Sequence, residues 1–171
     1  MIQISDPSLV LLIGPSGSGK STFARRHFRA TEVLSSDFCR ALVCDNENDQ
    51  TATNDAFELL HFILNKRLER RRTTVIDATN VQPTSRASLL ASARQWSIPA
   101  IAIVFQLPEE VCQRRNRQRS YRQVPSDVIQ NQLALLAVSM ERLQSEGFDE
   151  IHILSSEAQT DRVTVVRQPK S

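Results

Sequence analysis

The sequence predicts an α/β fold, a three-layer sandwich in which a central, mainly parallel sheet is flanked by helices. Three observations lead there. Apolar runs of strand length alternate with segments of helical periodicity, the pattern of successive strand–helix units. The first run, Leu9 to Ile13, is apolar at every position, as expected of a strand covered on both faces. It leads directly into Gly14-Pro15-Ser16-Gly17-Ser18-Gly19-Lys20-Ser21-Thr22, which fits the pattern G-x-x-x-x-G-K-[ST] at each fixed position and opens a helix-competent segment ending near Phe28.

That loop carries the first chemical statement. Glycines let consecutive N–H groups converge on an anion, and the helix N-terminus behind them adds partial positive charge. Lys20 reaches the outer phosphates of a nucleoside triphosphate such as ATP, and the Ser21 hydroxyl ligates Mg²⁺. A kinase-type P-loop sheet places the strands, numbered from Leu9, in the order 2-3-1-4-5, so the third strand lies beside the first.

The remaining elements follow in order. Glu32 to Leu34 is a short second strand, after which Asp37 can cap a helix from Phe38 to about Cys44. Asp45 to Gln50 is a polar break. It imitates a calcium loop but lacks the sixth-position Gly and has Ala56 at the twelfth position, which excludes that reading. A long helix runs from about Thr51 to Arg71, with Phe57, Leu60, His61, Leu64 and Leu68 on one stripe, so His61 reads as a packed core-edge residue. The cations at its end, Lys66, Arg67 and Arg70 to Arg72, suit a helix C-terminus. Thr73 to Ile76 is the third strand and delivers Asp77-Ala78-Thr79-Asn80. Pro83 begins a helix carrying Leu89, Ala93 and Trp96 on one face. Ile98 to Leu107 is the fourth strand, followed by a helix from Glu109. Beyond Pro125-Ser126 a further helix reaches about Glu146, with Ile129, Leu133, Leu136, Met140 and Leu143 as its buried stripe. Ile151 to Leu154 is a fifth strand, Val163 to Val166 a sixth at an edge, and Arg167 to Ser171 a frayed tail.

Size and composition bound the rest. The 171 residues make one domain, 1–171, with a lid at about 109–126. A hydrophobic share of 40% and a charged share of 23% fit a soluble globular protein. No run approaches the roughly 18 apolar residues of a membrane span. No leader is visible before Leu9, and Cys39, Cys44 and Cys112 have no metal-ligand spacing, so free thiols in a reducing cytoplasm are expected. The formal net charge of +2 does not by itself argue for nucleic acid.

In open parallel sheets ligands gather at the C-terminal ends of strands. Four groups fall there: the loop Gly14–Thr22, Asp37, Asp77, and the arginines Arg114, Arg115, Arg117, Arg119 and Arg122. Alone, Asp37 reads as an N-cap and the arginines as a solvated basic face; together they describe a site. If the helix from Glu109 continues, Arg115, Arg119 and Arg122 lie on one face with no acidic residue between Glu110 and Asp127. Polyanionic phosphate would relieve their repulsion, as in a lid closing over a triphosphate. Asp77 would stand near Ser21 and the cation. Asp37, one strand further out, would receive the proton of an attacking hydroxyl, with Arg40 one helical turn away to hold a phosphate.

Gly14 to Thr22, Ser35 to Arg40, Asp45 to Gln50, Asp77 to Val81 and Cys112 to Val124 together resemble the N-terminal kinase domain of bacterial polynucleotide kinase-phosphatase and, more distantly, phage polynucleotide kinase. The likeness covers Val10 to Pro169. It implies transfer of the γ-phosphate of ATP or another nucleoside triphosphate to a 5′-hydroxyl end of RNA or DNA in nucleic-acid repair. It implies Lys20, Asp37, Arg40 and Arg115 as the catalytic set, with Asp37 the general base. Gly14 to Thr22 with Arg115, Arg119 and Arg122 would bind the donor, and Ser21 the metal. Asp37, Arg40, Asp77, Thr79 and Asn80 would face the acceptor. The family continues into phosphatase and adenylyltransferase domains, so phosphatase and ligase domains are the expected partners if the chain is cut from a longer enzyme. Arg114 and Tyr121 depart from the family's lid, which mixes acidic and polar residues among its arginines. Two other readings stand beside this one: a kinase of the same fold acting on a small-molecule hydroxyl, and a P-loop ATPase switch that transfers nothing.

Overall fold

The computed structural model describes residues 1–169. In chain order its elements are β1 (Ile2–Asp6), β2 (Leu9–Ile13), α1 (Lys20–His27), β3 (Val33–Ser35), α2 (Ser36–Cys44), α3 (Thr53–Glu69) and β4 (Thr74–Asp77). There follow α4 (Pro83–Gln95), β5 (Ala100–Phe105), α5 (Glu109–Arg117), α6 (Ser126–Met140), β6 (Glu150–Leu154), α7 (Glu157–Arg162) and β7 (Val165–Pro169). The main sheet has five parallel strands in the order β3-β4-β2-β5-β6, which is the order expected of a kinase-type sheet.

β2 shows why both faces are covered. Leu9, Leu11 and Ile13 pack into a core with Leu60, Leu64, Leu89 and Ala93, while Val10 and Leu12 turn to the other layer with Phe23, Ala24 and Phe105. The period of two divides one apolar run between two helical layers. β5 does the same, with Ala100, Ala102 and Val104 on one side and Ile101, Ile103 and Phe105 on the other.

The structure differs from the sequence expectations at several points. Residues 2–6 form a strand, β1, whose Ile2 and Ile4 are buried. It pairs in parallel with β7 as a separate two-stranded sheet, so the last strand is not an edge of the main sheet. Arg167–Pro169 belong to β7 rather than to a frayed tail; Lys170 and Ser171 of that tail lie outside the described residues. Ser35, not Asp37, caps α2, its hydroxyl accepting from the Phe38 N–H at 3.3 Å. Asp37 sits within the first turn. The helix after Ser126 ends at Met140, and Leu143–Ser145 make a separate 3₁₀ turn. A short helix, α7, occupies residues for which no element was expected.

α5 stops at Arg117, so Arg119 and Arg122 do not continue its face. The cause is local. The Asn116 amide donates to the Val124 carbonyl at 2.8 Å and accepts from the Val124 N–H at 3.1 Å, closing residues 117–123 into a loop. Pro125, with no N–H to offer, precedes the next helix. Among the described residues no helix is long and apolar enough to cross a membrane.

Candidate active site

Three loops meet at the C-terminal end of the sheet. The first turns from β2 into α1 through three glycines with positive φ, Gly14 at 157°, Gly17 at 81° and Gly19 at 97°. At Gly17 the requirement is double, because a Cβ would also overlap the Cys112 carbonyl, a backbone atom that cannot swing aside. Gly17→Ala should therefore displace the loop and abolish nucleotide binding, with no heat of binding in a calorimetric titration with ATP. The loop is tied to its surroundings: the Gly14 N–H donates to the Thr79 carbonyl at 2.9 Å, and the Ser16 N–H to Gln132 Oε1 at 2.8 Å.

Lys20 folds back over this loop. Its ammonium donates to the carbonyls of Gly14 and Pro15, at 2.8 and 2.7 Å. Burial lowers its pKa from the usual lysine value to about 8, against the opposing pull of the Asp77 carboxylate; Arg119 lowers it further. Because the pKa is depressed, the side chain loses its charge as pH rises through that value, and with it the attraction for phosphate. In a pH profile, kcat/KM for the triphosphate should fall above about pH 8. kcat should hold to higher pH, since bound phosphate retains the proton.

Asp77 ends β4, in register with Leu12 of β2 on one side and Ser35 of β3 on the other, and is 8% exposed. It shares a cleft of about 210 Å³ with Lys20, Ser21, Asp37 and Arg40. A serine hydroxyl and a buried carboxylate are hard oxygen donors, which suits Mg²⁺. Among the described residues no group of three or more His, Cys, Asp or Glu converges as a metal site. A cation here would rest on Ser21, on Asp77 through water, and on the donor's own phosphates, as in other P-loop sites.

On the outer side, Asp37 is held between two guanidiniums. Arg40 Nη1 donates to Asp37 Oδ1 at 3.0 Å and to the Glu47 carbonyl at 2.8 Å, and Arg122 pairs with Asp37 Oδ2. Arg40 is 5% exposed, and its Nε is buried with no hydrogen-bond partner among the described residues. A buried donor left unpaired costs free energy until a ligand answers it. The Asn80 amide is used differently: Nδ2 donates to the Leu12 carbonyl at 2.8 Å, and Oδ1 is buried with no partner among the described residues. Asn80, at φ 50°, thus braces the end of β2 as well as lining the cleft, and Thr79 contributes its carbonyl to the loop.

The arginines divide. Arg119 and Arg122 line the cleft. Arg115 lies behind the loop, donating to the Ser18 carbonyl at 3.2 Å, and is paired with Glu157 at 3.1 Å and Asp161 at 3.7 Å. Arg114 reaches Glu157 at 2.5 Å. The row of mutually repelling guanidiniums is therefore corrected: α7 supplies the carboxylates that residues 111–126 lack, and Asp37 supplies one for Arg122. Gln132 and the α7 acids were missed, since nothing local in the sequence ties them to the loop.

A family model described as an AAA domain matches residues 9–143. No curated protein matches the sequence. A chain from the structure of the Pnkp1/Rnl/Hen1 RNA repair complex superposes with a TM-score of 0.70 at 23% identity over 81% of this chain, which spans 47% of that one. Shikimate kinase from Acinetobacter baumannii in complex with shikimate gives 0.56 at 20% identity, covering 91% of this chain and 88% of its own. A gluconokinase from Sinorhizobium meliloti 1021 gives 0.54 at 19% identity, covering 89% and 84%. These likenesses show the fold, that of a P-loop kinase, and agree with the resemblance read from the sequence.

Proposed function

The chain belongs to the AAA-domain family, and within it we propose a 5′-hydroxyl polynucleotide kinase that transfers the γ-phosphate of ATP or another triphosphate to a 5′-OH end of RNA or DNA. The observation that carries this reading is the pairing of Asp37 with Arg40 in the cleft that they share with Lys20 and Ser21 of the phosphate loop. A non-transferring ATPase has no use for that pair. The similarity to a chain of an RNA repair complex supports a polynucleotide as the acceptor.

In this reading the loop Gly14–Thr22 cradles the donor's phosphates with its N–H groups, and Lys20 leaves the carbonyls of Gly14 and Pro15 to meet them. Mg²⁺, when bound through Ser21 and Asp77, neutralises charge on the donor phosphates. Asp37 orients the 5′-hydroxyl and accepts its proton as the bond to phosphorus forms. Arg40, which lines the cleft, meets the transferring or acceptor phosphate. Arg119 and Arg122 act from the loop after α5 as a lid, Arg122 releasing Asp37 as phosphate replaces it. Arg115 stabilises the loop and the transferring charge from behind, steadied by Glu157.

The test is direct: incubate the protein with labelled ATP, Mg²⁺ and 5′-OH oligonucleotides of RNA and DNA. Label should appear on the 5′ end. Its absence at every length and from both polymers would end the proposal. One observation favours a second acceptor class. The cleft is about 210 Å³, the scale of a small alcohol, and the fold is shared with shikimate kinase and a gluconokinase. Competition between an oligonucleotide and such alcohols separates the two, because a polymer acceptor should not be displaced by them at equal concentration.

A further inference from the structure

Beside the catalytic cleft lies a second, larger one, of about 670 Å³. The two share Ser21, Asp37, Asp77, Arg119 and Arg122, so both open on the same carboxylates. Their walls differ. The second is lined by Phe28, Ala30, Val33, Phe38 and Tyr121, with Arg25 among them. Phe38 and Tyr121 project into solvent, 61% and 63% exposed, and both edge this one cleft, where contiguous exposed apolar surface marks a binding site.

We infer that this cleft binds the nucleobase at the 5′ end of a single-stranded acceptor, with Phe38 and Tyr121 as its stacking platforms. The inference rests on the reading of the protein as a polynucleotide kinase and names the part of the acceptor that the small cleft leaves outside. Phe38 lines the same cleft as Asp37, so a strand whose 5′-hydroxyl meets Asp37 has its first base within reach of that ring. Tyr121 lies between Arg119 and Arg122 in the loop after α5. Two exposed rings line one groove with the buried Phe28, together with the guanidiniums of Arg25, Arg119 and Arg122. Exposed aromatic faces fit bases, and the carboxylates Asp37, Glu47 and Asp77 among the arginines leave the rings, more than net charge, to hold the end of the strand. The volume falls within the range of ordinary small-ligand clefts, roughly 300–1,000 Å³. Stacking on a ring is tolerant of base identity, so the groove selects a nucleic-acid end without selecting a sequence.

The test compares two acceptors, an ordinary 5′-OH oligonucleotide and one whose 5′-terminal nucleotide has no base. With the unaltered protein, KM for the abasic acceptor should be about tenfold higher, the scale of one stacked base. In Phe38→Ala and Tyr121→Ala, KM for the ordinary acceptor should rise by a similar factor and the difference between acceptors should shrink. Phe38→Tyr and Tyr121→Phe, which keep the rings, should behave as the parent protein. Unchanged acceptor KM in the alanine variants, with transfer intact, overturns the inference and leaves the proposed activity standing. A rise confined to the KM for ATP does so too, by assigning the groove to the donor's base. If the unaltered protein phosphorylates no oligonucleotide, the activity itself fails and the inference goes with it.

Discussion

Asp37→Ala should slow transfer to a 5′-OH oligonucleotide by about 10²–10⁴-fold, the usual contribution of a positioned general base. Binding of ATP should survive. Asp37 pairs with Arg40 and Arg122 rather than with the backbone of the Gly14–Gly19 loop, so its removal frees two cations in the cleft that also holds Lys20 and Ser21. Donor affinity should hold or tighten, measured by calorimetry beside single-turnover transfer with labelled ATP. Asp37→Asn refines the result. An amide oxygen still accepts from Arg40 and preserves the shape of the turn, but it cannot take the hydroxyl's proton, so its transfer rate should fall nearly as far. A variant that hydrolyses ATP at the parent rate, in a protein that phosphorylates nothing, would favour the switch reading. Near-parental transfer by Asp37→Ala would move the base elsewhere, and Asp77, buried at the end of β4, is the next carboxylate in the cleft.

What could be read in advance was local. Leu9–Ile13 is apolar throughout because both faces of β2 are covered, and the loop after it has a fixed spacing because phosphate-binding geometry needs glycine at set positions. Asp37 and Asp77 followed from strand ends, since a parallel sheet sends both to the same edge. What escaped depends on partners far along the chain. Ile2 and Ile4 alternate with polar residues as a strand should, but five residues cannot announce that their partner is Val165–Pro169. The arginines of α5 looked unpaired because their carboxylates, Glu157 and Asp161, arrive some forty residues later on a short helix. Side-chain closures such as Asn116 on Val124 leave no periodic trace, and that one decided where α5 ends.

The largest effect on stability should come from Arg86, a residue whose sequence context gives no hint of its role. It lies on α4 with 0% of its surface exposed, a place where a charge survives only with every donor answered. Its Nε and Nη2 meet both oxygens of Glu146 at 2.7 and 2.5 Å, and Nη1 donates to the Asn80 carbonyl at 2.8 Å. Arg86→Met should cost about 3–5 kcal/mol, because it strands the Glu146 carboxylate and the Asn80 carbonyl together. For a chain of this length each kcal/mol lowers Tm by roughly 2–4 °C, so thermal unfolding should fall by about 6–20 °C. Combining it with Glu146→Leu should recover part of the loss, since the orphaned carboxylate goes too, and the double-mutant cycle then measures the coupling. Transfer should suffer as well at temperatures where the variant remains folded. Asn80 holds a left-handed turn while its amide grips the Leu12 carbonyl at 2.8 Å, so Arg86 fixes from behind the loop that follows Asp77. A stable Arg86→Met protein with full activity would mean that the turn at Asn80 is held by Leu12 alone.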